Sequence, residues 1–470
     1  MIIKRTKRII FFSLGVFLLF FISGMTPPEG LTQASMKTMG VILCTIMFWV
    51  GSVFPFIVGC LFMYCALILS GAAPYSVVST GIAGSVVCFM FGAMGICAAL
   101  NKTGAMKRIA FSIMRLFPPT FTGMSMGIFL TFTMINFLIP STAAKVTIYL
   151  PLAKTISDAM GFGPNTRGRY GIWMAAFAGM YVTSPGFYTG NLICPFMMSF
   201  QPADVVAAVT NLKWALYAFP WMVLVTLGMI IGIRFLYKPE VNTTELSRDF
   251  IRTQLEQMGG IKKREAISLG VLFACVILWA IEDRTGFDSH VIAVAGLTFL
   301  LMTGTLSVAD FRESESWTTL LSSGTILTLG TVLTSVGIND YVAKLISPII
   351  VSLSSNTFIF MAALVILIYL MHLVLASSYA GVALLLSIFL PLRASLNVDM
   401  WLLGFVMLTA SGSWLMMYQN SLAVFGFATF GGAKEMRYSQ LSKGCLWYWG
   451  VNVVAVLLCV PYWRLLGLIR

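Results

Sequence analysis

Apolar segments close to bilayer length recur from one end of the chain to the other, separated by short polar or basic stretches. Crossing the hydrocarbon core takes about 20 consecutive apolar residues in a helix. Segments near 8–25, 34–50, 52–71 and 80–100 fit that length. A basic amphipathic connector follows, NKTGAMKRIAFSIMRLFP, and then an apolar pair at 122–138 and 142–157 split by Pro140-Ser141-Thr142. A segment near 170–200 is interrupted by TSPGFYTGNLICP, and 206–236 reads as a further helix. After the polar stretch 237–264 the plan returns. Helices are expected near 265–283, 288–304 and 318–338, then a short amphipathic stretch, an apolar pair at 356–376 and 380–392, an interrupted segment at 400–430 and a last helix at 445–466.

The pattern predicts an all-α polytopic membrane protein with about 11 transmembrane helices and two re-entrant hairpins. The two apolar pairs echo each other: FLIPSTAAKVTIYLPLAKTI in the first half, LVLASSYAGVALLLSIFLPLRASL in the second. Each has a Ser-rich break, a returning arm and Leu-Pro-Leu followed by a base. With one extra helix (1–33), the repeats 34–236 and 265–470 enter the membrane from opposite sides, as two inverted-topology repeats joined by a cytoplasmic linker, 237–264. Such repeats in secondary transporters place the site at broken helices near the midplane. The hairpins are expected at 122–157 and 356–392.

Composition agrees. The chain is 59% hydrophobic and only 10% charged, against about 25% charged in a soluble domain. The N-terminal MIIKRTKRIIFFSLGVFLLFFISG resembles a signal peptide but lacks a small-x-small cleavage site, so a retained first helix is expected. The net charge of +13 is a matter of topology. If the apolar segments alternate across the membrane, 22 of the 30 Lys and Arg fall on one side, which the positive-inside rule makes cytoplasmic, together with the N-terminus. No nucleic-acid partner is expected. The nine cysteines lie mostly in apolar runs without CxxC or zinc spacing, and no metal or cofactor is expected. No Walker loop, paired zinc histidines or nucleophile elbow is present, so an enzyme is not expected.

The chemistry concentrates at the breaks. Pro140 removes a backbone donor, and Ser141 and Thr142 suit the start of the returning arm, whose free N–H groups favour an anion. Lys145 follows one turn later, a charge at membrane depth. Nearly all 17 Asp and Glu fall in loops or at helix ends, so no proton relay or carboxylate cation site is available at mid-span. Basic and hydroxyl groups without carboxylates favour an anionic substrate. Ser377, Ser378 and Tyr379 occupy the second break, with His372 on its entering arm. Thr189, Gly190 and Asn191 in one interrupted segment, and Tyr418, Gln419, Asn420 and Ser421 in the other, lie beside unwound backbone.

These residues carry a resemblance to the divalent anion/sodium symporter superfamily, and within it to the bacterial and plastid citrate, tartrate and 2-oxoglutarate/malate exchangers. The first-hairpin motif reads Pro140-Ser141-Thr142-Ala143-Ala144-Lys145; the second reads His372, Ala376, Ser377, Ser378, Tyr379, Ala380, Gly381, Val382. The closing NSLAVFGFATFGG and WYWGVNVVAVLLCVPYWRLLGL fit as well. The resemblance implies a homodimer in a bacterial inner membrane, elevator-type alternating access, and hairpin tips that hold a di- or tricarboxylate. It also implies that a base at position 145 stands in for the sodium of coupled relatives. Lysine in place of arginine, Ala143 without a hydroxyl, bulky Tyr379, Gly381 in place of histidine and Cys194 in place of asparagine depart from the pattern. The expectation is a sodium-independent carboxylate exchanger. The alternatives are a Na⁺- or H⁺-coupled symporter and a non-transporting sensor on the same fold.

Overall fold

Thr32, Thr120, Ser141, Thr166, Thr210, Asn356, Ser377, Asp399 and Asn420 each stand immediately before a helix and accept a hydrogen bond from its first-turn backbone N–H groups. Such caps satisfy donors that hydrocarbon cannot. They punctuate a computed structural model that describes residues 2–51, 53–240, 246–314, 317–342, 344–345, 348, 356–373 and 377–469. The amphipathic stretch expected after 338 lies mainly outside the described residues, as do residues 374–376 of the second hairpin, Ala376 among them.

Among the described residues the fold is all-α, and the chain is a polytopic membrane protein. The helices that matter below are α1 (Ile2–Gly24), α2 (Gln33–Val50), α3 (Phe56–Leu69), α4 (Ser85–Thr103), α5 (Ala105–Met114), α6 (Phe121–Leu138), α7 (Thr142–Ala159), α8 (Arg167–Tyr181), α9 (Ile193–Met198) and α10 (Asn211–Leu236). The second half supplies α11 (Leu246–Met258), α12 (Lys263–Ala280), α13 (Ser289–Met302), α14 (Val308–Ser314), α15 (Trp317–Ser335), α16 (Thr357–His372), α17 (Ser378–Phe389), α18 (Met400–Ser411), α19 (Ser421–Thr429) and α20 (Tyr438–Leu465). The series hairpin, broken helix, long helix occurs twice: α6/α7, α8/α9, α10 and then α16/α17, α18/α19, α20. The two series interlock, with α10 packed along α20, α7 against α19 and α9 against α18. Elsewhere α4 packs on α13 and α3 on α15.

The polar stretch 237–264, expected as a linker, contains the amphipathic helix α11. Its Ile251 is buried, and Leu255 and Met258 pack on the core from the same face. The three recur at helical spacing, so packing outweighs the polar composition. Arg108 on α5 reaches it, donating to the Gly259 carbonyl at 3.0 Å and pairing with Glu265 on α12.

Among the described residues, the ion pairs between elements connect segments expected on the same face of the membrane. Lys102–Asp310, Arg108–Glu265 and Arg169–Asp158–Glu435 lie within one set, and Arg393–Asp204 within the other. Arg169 is buried and also donates to the Phe162 carbonyl at 2.9 Å, so it binds the foot of the first hairpin to the loop after α19. Burial pushes the Asp158 carboxyl up, but hydrogen bonds from Lys154 and Arg169 outweigh it and hold it below its usual range. The hydrogen bond from Lys102, seconded by Ser307, pulls Asp310 down to about 2.

Candidate functional site

The two hairpin tips are built alike. Ser141 Oγ accepts from the Ala144 N–H at 3.2 Å, and Ser377 Oγ accepts from the Ala380 N–H at 3.2 Å. The broken helices repeat the device. Asn191 Oδ1 accepts from the Ile193 N–H at 3.3 Å, and Asn420 Oδ1 from the Leu422 and Ala423 N–H groups at 3.1 and 3.0 Å. Local sequence dictates these turns: Ser and Asn compete with the backbone for hydrogen bonds and so favour helix starts over helix interiors.

Both tips and both breaks line one cavity of about 680 Å³. Of the sequence-predicted residues, Ser141, Thr142, Asn191, Ser377, Ser378, Tyr379, Asn420 and Ser421 lie on it, as do Tyr418 and Gln419. Among the described residues, its lining contains no Asp, Glu, Lys or Arg. The Thr142 hydroxyl is buried without a protein partner. The N-termini of α7, α17 and α19 all meet this space, each bringing the partial positive charge of a helix start. Such helix starts suit an anion.

Lys145, Thr189 and Gly190 do not line the cavity. Lys145 lies behind the first tip, fully buried, donating to Asn136 Oδ1 at 2.5 Å and to the Gly190 carbonyl at 2.7 Å. None of the ion pairs among the described residues includes it. Asn136 is itself oriented, donating to the Gly179 carbonyl at 2.9 Å and to Thr183 Oγ1 at 3.0 Å. Lys145 thus bridges α7, α6 and the break between α8 and α9. Gly190 is required there, since a Cβ would lie 2.3 Å from the Ser184 carbonyl oxygen. Thr189 donates to the Phe137 carbonyl at 3.2 Å and secures the same break.

In the second half the bridge is neutral. Gln419 Nε2 donates to the His372 carbonyl at 2.9 Å, the Tyr418 hydroxyl donates to the Leu373 carbonyl, and Ser378 Oγ donates to the Ser411 carbonyl at 2.9 Å. Tyr379 sets its ring edge-on to Phe196 of α9, 4.8 Å between centroids, which braces the second tip on the first half.

The opposite wall of the cavity was missed in the sequence. Trp49, Phe54 and Phe56 around the α2–α3 turn, with Thr318, Thr319, Ser322 and Ser323 on α15, complete it. The hydroxyl pairs, four residues apart in WTTLLSSG, share one side of the first turns of the helix; that spacing was the available signal.

The sequence profile of the sodium:sulfate symporter transmembrane region matches residues 6–469. The chain belongs to this family. It is a transporter and not an enzyme. Dicarboxylate transporter 1 of Spinacia oleracea chloroplasts is 23% identical over 460 residues, which cover 94% of this chain and 78% of that one. Its Arabidopsis thaliana namesake is 24% identical over 457 residues, covering 94% and 80%. The putative malate transporter YflS of Bacillus subtilis is 23% identical over 317 residues, covering 66% of each. Among solved structures, the YdaH transporter of Alcanivorax borkumensis shares the fold, with a TM-score of 0.57 at 14% identity over 99% of this chain and 98% of that one.

Proposed function

We propose that this family member exchanges one small dicarboxylate for another across the membrane, without sodium. One observation carries the reading: three helix N-termini and two Ser-capped tips meet at a cavity with no carboxylate among the described residues that line it, with a buried lysine behind one tip. Burying an ammonium with two hydrogen bonds and no counter-ion is costly, so Lys145 is a standing demand for negative charge. It acts on the cavity through space and by fixing the Gly190–Asn191 backbone. The empty carrier, with that demand unmet, crosses poorly, which favours exchange over uniport. Relatives named as dicarboxylate and malate transporters support the substrate class.

The division into two inverted repeats joined at 237–264, elevator motion of the hairpins past the α2–α3 and α15 wall, a homodimer, a bacterial inner-membrane location and a cytoplasmic N-terminus belong to the same proposal. The test is uptake of labelled succinate, malate and citrate into proteoliposomes with and without internal substrate and a Na⁺ gradient. Uptake that requires internal substrate and ignores Na⁺ is expected. Uptake into empty vesicles driven by Na⁺ or a proton gradient would make the protein a symporter and remove the charge role from Lys145. Ligand binding without flux would make it a sensor.

A further inference from the structure

Away from the substrate cavity, α12 and α13 leave an open groove of about 580 Å³ between them. Ile267, Gly270, Ala274 and Leu278 of α12 and Ala295 and Phe299 of α13 are part of its lining. Among the described residues that line it, only Cys275 carries a heteroatom in its side chain, and that thiol donates to the Ile292 carbonyl at 3.8 Å. Small residues make the depression: Gly270, Ala274 and Ala295 are exposed, and a Cβ built on Gly270 meets open space. From Ile267 to Leu278 the groove runs about 16 Å at ~1.5 Å per residue. That is the depth of one leaflet in a hydrocarbon core about 30 Å thick.

One end of the groove is basic. Lys262, Lys263 and Arg264 are exposed, and none of the ion pairs among the described residues includes them. Lys263 and Arg264 precede Ile267 by four and three residues, so helical spacing sets them one turn from the groove on its own side. The carboxylate of the same turn, Glu265, is buried and paired with Arg108, which leaves the three bases without it.

We infer that the groove holds one acyl chain of an anionic phospholipid whose phosphate meets Lys262, Lys263 and Arg264. Hydrocarbon fills an apolar groove at that depth whatever the lipid, so the headgroup does the selecting. Each base near a membrane surface favours an anionic headgroup by about five-fold, and a zwitterionic lipid brings an ammonium of its own to the same bases. On the orientation proposed above, the lipid belongs to the cytoplasmic leaflet. A second copy of the chain fits less well. In a two-fold dimer a patch faces itself, which would set depression against depression and bases near bases. The lipid also lies behind the substrate site, since α13 packs on α4 and Met94 of α4 lines the cavity.

Native mass spectrometry of the full chain in detergent, titrated with phosphatidylglycerol or phosphatidylcholine of identical chains, tests this. No substrate is needed, so failure here leaves the exchanger reading untouched. Phosphatidylglycerol is expected to bind in one saturable step, about ten-fold or more tighter than phosphatidylcholine. Replacing Lys262, Lys263 and Arg264 together by Gln is expected to level the two lipids. Gly270→Trp, whose ring enters open space, is expected to remove the saturable step for both while the protein still elutes as a folded species. Equal binding of the two lipids by the unaltered protein overturns the inference, as does a preference that survives Gly270→Trp. Dissociation of a dimer by Gly270→Trp with lipid binding unchanged also overturns it and makes the groove an interface between copies.

Discussion

Lys145 and Gly190 are read most directly at the scale of the residue. Lys145→Gln keeps a donor for Asn136 or Gly190 but removes the charge; exchange is expected to fall by at least ten-fold while the protein still elutes as a folded species in detergent. Intact sodium-independent counterflow in that variant would sink the charge role. Gly190→Ala is expected to abolish transport, because the new methyl meets a backbone oxygen that has nowhere to go. Ser141→Ala removes the first tip's cap, a loss of about 1 kcal/mol, and is expected to weaken apparent affinity several-fold in the same exchange assay. The sequence located the break at Pro140 and the Ser141 cap, because capping and helix breaking are local. It gave no sign that Lys145 points away from the cavity. That depends on Asn136 nine residues before and Gly190 forty-five after, and on a fold that brings them together.

Elements show where period is informative and where composition misleads. Nearly every apolar segment became a helix within a few residues of its expected ends, since hydrocarbon leaves the backbone few other conformations. α11 was passed over because its polar majority hid three apolar residues on one face; α15 was expected as a helix, but its hydroxyls do not disturb an apolar run and its place in the cavity wall went unread. The Arg169 cluster joins elements remote in sequence and was not legible at all. Arg169→Met takes the cation from Glu435 and leaves Asp158 with Lys154 alone. The expected loss is about 2–3 kcal/mol, less than the ~3–5 of a fully buried pair because both carboxylates are partly exposed. Thermal unfolding in detergent checks it. The Lys102–Asp310 pair gives a pH signature with a definite sign. A carboxyl held at about 2 when folded contributes stability that is fully present above its unfolded value, about 3.9, and is lost as pH falls toward 2. Hydrogen exchange in α14 is therefore expected to rise selectively below about pH 4, and not in Asp310→Asn, where the pair is already gone.

For the molecule as a whole, the cavity has two unlike walls. Tips and breaks from both halves, interlocked through α10, α20, α7 and α19, form one; the α2–α3 turn and α15 form the other. On the exchanger reading, a Thr142→Cys probe, in a background with the exposed Cys65 and Cys88 replaced by Ser, is expected to react with impermeant thiol reagents and to be protected by dicarboxylate. Reaction unaffected by any substrate would remove the tip from the binding site. The unlike walls also bear on pharmacology. On the proposed elevator motion, a substrate that touches only the tips travels with them. On the same reading, a longer molecule that grips the tips at one end and hydrogen-bonds Ser322 and Ser323 at the other staples together the two surfaces that slide. Length alone would then turn a cargo into a blocker, and the α15 hydroxyl stripe is where such a compound would gain its selectivity.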